Sequence, residues 1–158
     1  MKDTRTTSLV IDTPTGLFSI IEEDGRITRA HWANDERAPT EALTPLLSEA
    51  AEQLAAYFAG DLHRFNLPLA PEGSPFQNSV WREMSAIPYG VTRTYGDLAK
   101  AIRGEARAVG TACGANPIPI IIPCHRVVGA DGEMTGFSGG RGVETKVALL
   151  KLEGAMLL

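Results

Sequence analysis

Hydrophobic positions in the first third of the chain fall in short β-prone runs at residues 9–11, 17–21 and 27–32. Two turn sequences separate them, Thr13-Pro14-Thr15-Gly16 and Glu23-Asp24-Gly25, so the pattern predicts a small antiparallel meander. The period then lengthens. Leu47, Ala51, Leu54 and Phe58 recur at helical spacing behind Thr44 as N-cap and Pro45 at the first position, and Gly60 suits the left-handed stop. Residues 61–73, rich in Pro and polar side chains, read as a linker. A second helix starts at Ser74, where Pro75 and Gln77 complete a capping box; Phe76, Val80 and Met84 line one face until Pro88-Tyr89-Gly90 ends it. Thr94 opens a shorter helix with Asp97 at its third position and Leu98, Ala101 and Ile102 on its apolar face. Arg103-Gly104 breaks that helix, and another is predicted over 105–116. Two short helices about a glycine turn suggest a helix-turn-helix. A buried strand is predicted to run up to Cys124, and residues 143–152 read as an amphipathic helix carrying Val147 and Leu150, stopped by Gly154.

The predicted fold class is α+β. A small antiparallel-sheet domain over 1–73 precedes a mostly helical, winged-helix-like domain over 74–158 that contains the helix-turn-helix. With 44% hydrophobic and 22% charged residues in 158, the chain can bury a core and is a poor candidate for disorder. Its longest apolar run, 118–122, is interrupted by Pro119, so no membrane helix is expected. The N-terminus lacks the apolar core of a signal peptide, and two cysteines are too few for a disulfide framework; a cytoplasmic location is the expectation.

The net charge of −4 hides an asymmetry. Residues 1–75 carry six Lys/Arg against twelve Asp/Glu, and residues 76–158 carry nine against seven. An acidic chain can therefore still present a basic face to a polyanion, although chance clustering on a solvated surface gives the same count. The second helix of the pair runs Ala106-Arg107-Ala108-Val109-Gly110-Thr111-Ala112-Cys113-Gly114-Ala115. Only Arg107 has a long polar side chain, too few for reading base edges. Such a slim helix either approaches a duplex closely, positioning without specifying, or packs tightly in the core.

The chemistry concentrates in residues 116–128, Asn-Pro-Ile-Pro-Ile-Ile-Ile-Pro-Cys-His-Arg-Val-Val. A lone cysteine is usually a small core residue. Beside His125, Cys124 could instead lose its proton to imidazole and act as a nucleophile. Neighbours on an extended chain point to opposite faces, so a tight turn or a bridging water would have to connect them. Glu153 lies at the unfavourable end of the last helix. It is either a solvated carboxylate or one held there to orient His125 in a triad.

Together these residues resemble the O6-alkylguanine-DNA alkyltransferases, the methylated-DNA–protein-cysteine methyltransferases. The resemblance is carried by Pro123-Cys124-His125-Arg126-Val127, Asn116-Pro117, Gly136-Phe137-Ser138-Gly139-Gly140, Phe76-Gln77 with Val80-Trp81, Ile87-Pro88-Tyr89-Gly90, Thr94-Tyr95-Gly96, Arg107-Ala108-Val109-Gly110, and Leu149-Leu150 with Glu153-Gly154. It spans nearly all of 75–154 and, more loosely, Thr13-Pro14-Thr15-Gly16 and Tyr57-Phe58-Ala59-Gly60 with Leu67-Pro68-Leu69 in the first domain.

The resemblance implies DNA repair by direct reversal, an irreversible, single-turnover transfer of an alkyl group from O6-alkylguanine to the protein's own cysteine without a cofactor. Cys124 would be the nucleophile, His125 the base acting through a water, and Glu153 the residue orienting it. Asn116 would support the turn before the active-site segment, and Tyr95 would assist departure of the guanine. Arg107 would fill the stack vacated by a flipped nucleotide while Thr94, Tyr95 and Ala108 contact DNA in the minor groove. Val127, Phe137 and Ser138 would line the pocket; Phe137 stands where a Tyr is common, making that wall apolar.

The expected partner is double-stranded DNA containing O6-alkylguanine, with O4-alkylthymine as a further candidate. A monomer is expected in solution, with cooperative binding on DNA left open and no membrane association. Only His31 and His63 stand in the first domain, with no Cys, so no structural metal is expected. Cys113 is expected to pack, its alternative being an oxidation-sensitive thiol. The competing readings are a non-catalytic alkylated-DNA-binding protein, which Cys124 argues against, and a cysteine hydrolase, for which no oxyanion-hole motif is evident.

Overall fold

Three strands, β1 (Thr6–Thr13), β2 (Gly16–Glu23) and β3 (Arg26–Trp32), pair antiparallel in the order β1-β2-β3, as the turn sequences require. Asp24 and Gly25 both take positive φ, 51° and 81°, which gives the two-residue connection a twist matching that of the strands. At the other turn the Thr13 hydroxyl donates to the Gly16 carbonyl at 2.7 Å. The computed structural model describes residues 6–33, 43–134 and 139–155, and the chain divides after Pro71 into two compact units.

In the first unit, α1 (Pro45–Phe58) begins at Thr44, whose hydroxyl oxygen accepts from Leu47 N at 3.0 Å. It ends at Gly60, φ 81°, with Gly60 N donating to Tyr57 O and Asp61 N to Ala56 O, the paired bonds of a Schellman stop. Its buried face is Leu47, Ala50, Leu54 and Tyr57. Relative to the expected stripe, Ala51 and Phe58 are displaced to half-buried flanks. This face packs on β1 and β2, where Phe18 and Ile20 are fully buried.

The expected linker is in large part structure. Ile27 N donates to Pro68 O at 2.9 Å and Ala70 N to Ile27 O at 2.8 Å, so Leu69 bridges β3 in parallel. Gln53 clamps the same segment through both backbone groups of Asn66, at 2.9 and 3.0 Å. Pro68 cannot donate to a ladder, which suits it to this sheet edge.

The second unit holds α2 (Pro75–Ser85), α3 (Tyr95–Ile102), α4 (Ala106–Gly114) and α5 (Val143–Leu152). Reciprocal capping boxes start α2, from Ser74 and Gln77, and α3, from Thr94 and Asp97. Arg103 takes the left-handed conformation, φ 58°, and turns the chain from α3 into α4. A two-residue parallel pair joins β4 (Arg93–Thr94) to β5 (Val127–Val128).

Helices α2, α3 and α4 pack on one another, and Trp81 pins two of them by donating Nε1–H to Ala112 O at 2.9 Å. Val80, Trp81 and Met84 are buried, whereas Phe76, expected on the same face, is 37% exposed. A Cβ on Gly73 would lie 2.4 Å from the Trp81 ring. Gly73→Ala is therefore expected to displace the indole and cost about 1–3 kcal/mol, measured by denaturant unfolding; an unchanged midpoint would show that the indole relocates freely.

Residues 117–122 do not form the expected strand. Pro117, Pro119 and Pro123 lack the N–H groups a ladder needs. The chain coils instead, with Ile121 N donating to Pro119 O at 2.8 Å, Ile122 N to Ile118 O at 2.9 Å and Cys124 N to Ile122 O at 2.8 Å. Ile118, Ile120, Ile121 and Ile122 are all buried. Ile120 has φ 69°, a costly conformation for a β-branched residue that the surrounding burial enforces.

Candidate active site

Cys124 opens a 3₁₀ turn, Cys124–Arg126. With three residues per turn, successive side chains diverge by about 120° rather than pointing to opposite faces. The turn rests on α5 and leaves Cys124 half-buried while His125 is fully buried and Arg126 nearly so.

Glu153, at the C-terminal cap of α5, has a fully buried side chain surrounded by donors. Its Oε2 accepts from His125 Nε2 at 2.7 Å and Arg126 Nη2 at 3.0 Å; its Oε1 accepts from Arg126 Nε at 2.8 Å and Gly90 N at 3.2 Å. Arg126 Nη1 donates to Ile87 O at 2.7 Å, and the guanidinium lies 5.8 Å from the Tyr89 ring centroid. These bonds offset the adverse helix dipole and answer which of the two roles Glu153 has structurally: it is a buried anchor. Gly90, φ 79°, passes so close that a Cβ would meet Glu153 O at 3.0 Å.

Burial holds His125 below the usual imidazole range, and this outweighs the opposing pull of Glu153. The ring is therefore neutral at pH 7. With Nε2–H donated to the carboxylate, Nδ1 carries the lone pair, an assignment that follows from the network. That buried Nδ1 has no hydrogen-bonding partner in the protein, an exception that calls for a use. Burial likewise pushes the Cys124 thiol up, against smaller opposing effects of the Asn116 side chain, Lys146 and the His125 backbone N–H. The resting sulfur is thus a thiol, and a base has to release it.

Asn116 ties off the coiled segment before the cysteine, accepting from Ile118 N at 3.0 Å and donating to Ile122 O at 2.8 Å. Cys113 is buried on α4 and pushed up to about 12 by that burial, consistent with a packing residue. Val127 is fully buried, and both its backbone groups are bonded, the N–H to Cys124 O and the carbonyl to Lys146 Nζ.

Arg107 is exposed near the start of α4, and with Ala108 it lines a groove of about 550 Å³ shared with Ser74, Phe76, Gln77 and Thr111. Tyr95 is half-buried at the start of α3, its ring 3.9 Å from where a Cβ on Gly110 would stand. The Thr94 hydroxyl accepts from Asp97 N at 3.0 Å. The expected pocket residues Phe137 and Ser138 lie outside the described residues.

Two residues of the site were given no role from the sequence. One is Arg126, which binds Glu153 twice. The other is Lys146, only 1% exposed, whose Nζ donates to Val127 O at 2.6 Å. A signal for the second existed: Lys146 lies three and four residues before the buried Leu149 and Leu150, on the apolar face of α5. The inward face is Thr145, Lys146, Leu149 and Leu150, with Val147 only half-buried.

Comparison with known proteins matches residues 75–155 to the 6-O-methylguanine DNA methyltransferase, DNA binding domain, and residues 8–71 to the ribonuclease-like domain of the same enzymes. The constitutive methylated-DNA–protein-cysteine methyltransferase of Bacillus subtilis is 41% identical over 152 residues, covering 90% of this chain and 92% of its own. The Mycolicibacterium paratuberculosis protein of the same name is 43% identical, covering 90% and 89%. The crystal structure of the Mycobacterium tuberculosis O6-methylguanine methyltransferase superposes with a TM-score of 0.85 at 40% identity, covering 98% of this chain and 96% of that one. The OGT of that organism in complex with DNA superposes at 0.82 with 42% identity, covering 94% and 92%. With both family models matched in order along most of its length, this chain belongs to the O6-methylguanine-DNA methyltransferase family.

Proposed function

We propose that this protein repairs O6-alkylguanine in duplex DNA by moving the alkyl group onto Cys124, once per molecule. The observation that carries the reading is the unpartnered, buried Nδ1 of a neutral His125, locked from behind by Glu153 and one residue from a thiol that needs a base. In the proposed step a water relays the Cys124 proton to Nδ1. The sulfur attacks the alkyl carbon, the carbon–O6 bond breaks with its electron pair going to the base, and guanine takes up a proton. Tyr95, at the start of α3, is proposed to supply that proton's path. The products are guanine and S-alkylcysteine, so atoms and charge balance with no cofactor.

Helix α4 suits a task that must succeed in any sequence, since its exposed face offers small residues and one arginine. In this reading Arg107 occupies the space left by the extruded nucleotide, Thr94, Tyr95 and Ala108 contact the backbone nearby, and Val127, Phe137 and Ser138 receive the flipped base. O4-alkylthymine carries its alkyl group on an equivalent exocyclic oxygen and is a second proposed substrate. The protein is proposed to act as a cytoplasmic monomer that can bind DNA cooperatively.

The test is stoichiometry. With excess O6-[³H]methylguanine duplex, label on the protein should stop at one methyl per molecule, whereas release of free methanol beyond that ratio would mean hydrolysis instead. Arg107→Ala should lower the repair rate on duplex by about ten- to a hundredfold, because extrusion costs a few kcal/mol, and should leave Cys124 alkylation by iodoacetamide unaltered. Wild-type duplex repair by this variant would remove the extrusion role.

A further inference from the structure

The His–Glu pair does not account for Lys146. Its ammonium is carried into the interior from α5 and bonded to the carbonyl of Val127, whose own N–H donates to the Cys124 carbonyl. The lysine is thus fastened to the far end of the turn that bears the nucleophile. An interior ammonium is costly unless an anion or several acceptors face it.

Among the described residues, the ionisable groups on the elements packed around this lysine are as follows. The turn brings Cys124, His125 and Arg126; α4 brings Cys113; α5 itself contributes Glu153, with Glu144 and Lys151 exposed. Glu153 is committed to Arg126 and His125. The imidazole is neutral and Arg126 is a cation. Burial depresses Lys146, and the two sulfurs, Cys124 ahead of Cys113, pull it back up. Cys113 is pushed up to about 12, whereas the Cys124 thiol has the neutral imidazole of His125 next to it in the turn as a base that can release it.

We infer that Lys146 is the counter-cation of the Cys124 thiolate, a charge-setting residue of the transfer reaction that works beside the His125–Glu153 base. The inference rests on Cys124 being the alkyl acceptor. As the thiol gives its proton to His125, the negative charge forms next to a cation already anchored at Val127 O, and favourable charge is worth more here than in water. Transfer then consumes the charge, and Lys146 is left facing a neutral thioether.

Iodoacetamide reads thiolate at Cys124 without DNA. Its second-order rate, followed by peptide mapping across pH, should show a midpoint moved upward in Lys146→Met, with at least about tenfold slower labelling at pH 7 and convergence with wild type at alkaline pH. Lys146→Arg, which keeps the charge, should return towards the wild-type midpoint. An unmoved midpoint, or a uniform loss at every pH, overturns the inference, because a lysine that merely holds the Val127 carbonyl produces one of those. If Lys146→Met does not fold, judged by its thermal melt, the reciprocal measurement decides. In ¹⁵N-lysine wild-type protein the Lys146 amine should titrate at lower pH once Cys124 is carboxamidomethylated, and an unchanged titration overturns the pairing. Methyl transfer from O6-methylguanine duplex is measured alongside. A wild type that takes no methyl yet shows the Lys146-dependent shift supports the pairing and refutes the transfer reading alone.

Discussion

Cys124→Ala is expected to transfer no alkyl group at all while binding duplex DNA as wild type does. The loss is complete because the sulfur is a reagent, not an assistant: it forms the bond that remains. Cys124→Ser is expected to be equally inactive, since a hydroxyl is a far weaker acid than a thiol and the neutral imidazole of His125 cannot ionise it to a useful extent. Both variants should fold. Cys124 is only half-buried, and the bonds that shape its turn are made by Asn116 and by backbone groups. Gel-shift affinity and single-turnover repair on the same preparation check this, and any accumulation of repaired guanine by the alanine variant would contradict it.

Glu153→Ala is expected to cause the largest loss of stability of any single substitution at the site. It strips the Glu153 carboxylate from Arg126 and His125, along with the acceptor of Gly90 N. Removing one partner of a buried pair costs about 3–5 kcal/mol, since the surviving charge stays buried and uncompensated. Against a total of about 5–15 kcal/mol that is a large share, and urea unfolding should show it. Glu153→Gln separates folding from chemistry. It keeps the side chain's shape but no longer fixes which imidazole nitrogen carries the proton, so repair should slow more than the fold weakens. A Glu153→Gln protein with wild-type repair rates would mean that the carboxylate serves the fold alone.

The same imidazole makes the fold sensitive to acid. Burial holds folded His125 below its unfolded value of about 6.5, so on acidification the unfolded chain takes up a proton first. The contribution of the neutral, bonded ring is therefore fully present above that value and is lost as the pH falls through and below it. Urea midpoints should drop between pH 7.5 and 5, and the drop should shrink in His125→Gln. An equal drop in that variant would place the acid sensitivity elsewhere.

Features set by neighbours in the chain were legible without the structure. The capping residues Thr44, Ser74 and Thr94, the Asp24-Gly25 turn and the Gly60 stop each act within a few residues, and each forms as its local chemistry dictates. The segment 117–122 was misread because its isoleucines signal a strand, while the prolines among them remove the donors a strand needs. The hydrophobic signal located the burial and the prolines decided the backbone. The segment 61–73 looked like a linker for a related reason, since its composition does not reveal that Pro68 and Ala70 bracket Ile27 across a sheet edge.

At the site, Cys124, His125 and Glu153 could be named individually, but the meeting of His125 with Glu153 is a contact across 28 residues that no local period encodes. Lys146 was hidden by the sound expectation that lysines stay in water. Its position on an apolar helical face was the contrary signal. Arg126 was noticed only as a neighbour of the histidine, although it donates to both carboxylate oxygens of Glu153.

The central claim is that Cys124 is consumed by the reaction. Intact-mass analysis and peptide mapping after incubation with an O6-methylguanine duplex test it most directly. The prediction is one methyl increment per protein molecule, confined to the peptide containing Cys124 and absent from the one containing Cys113. Repair of the duplex with the protein mass unchanged, or a methyl group found on any other residue, would contradict it.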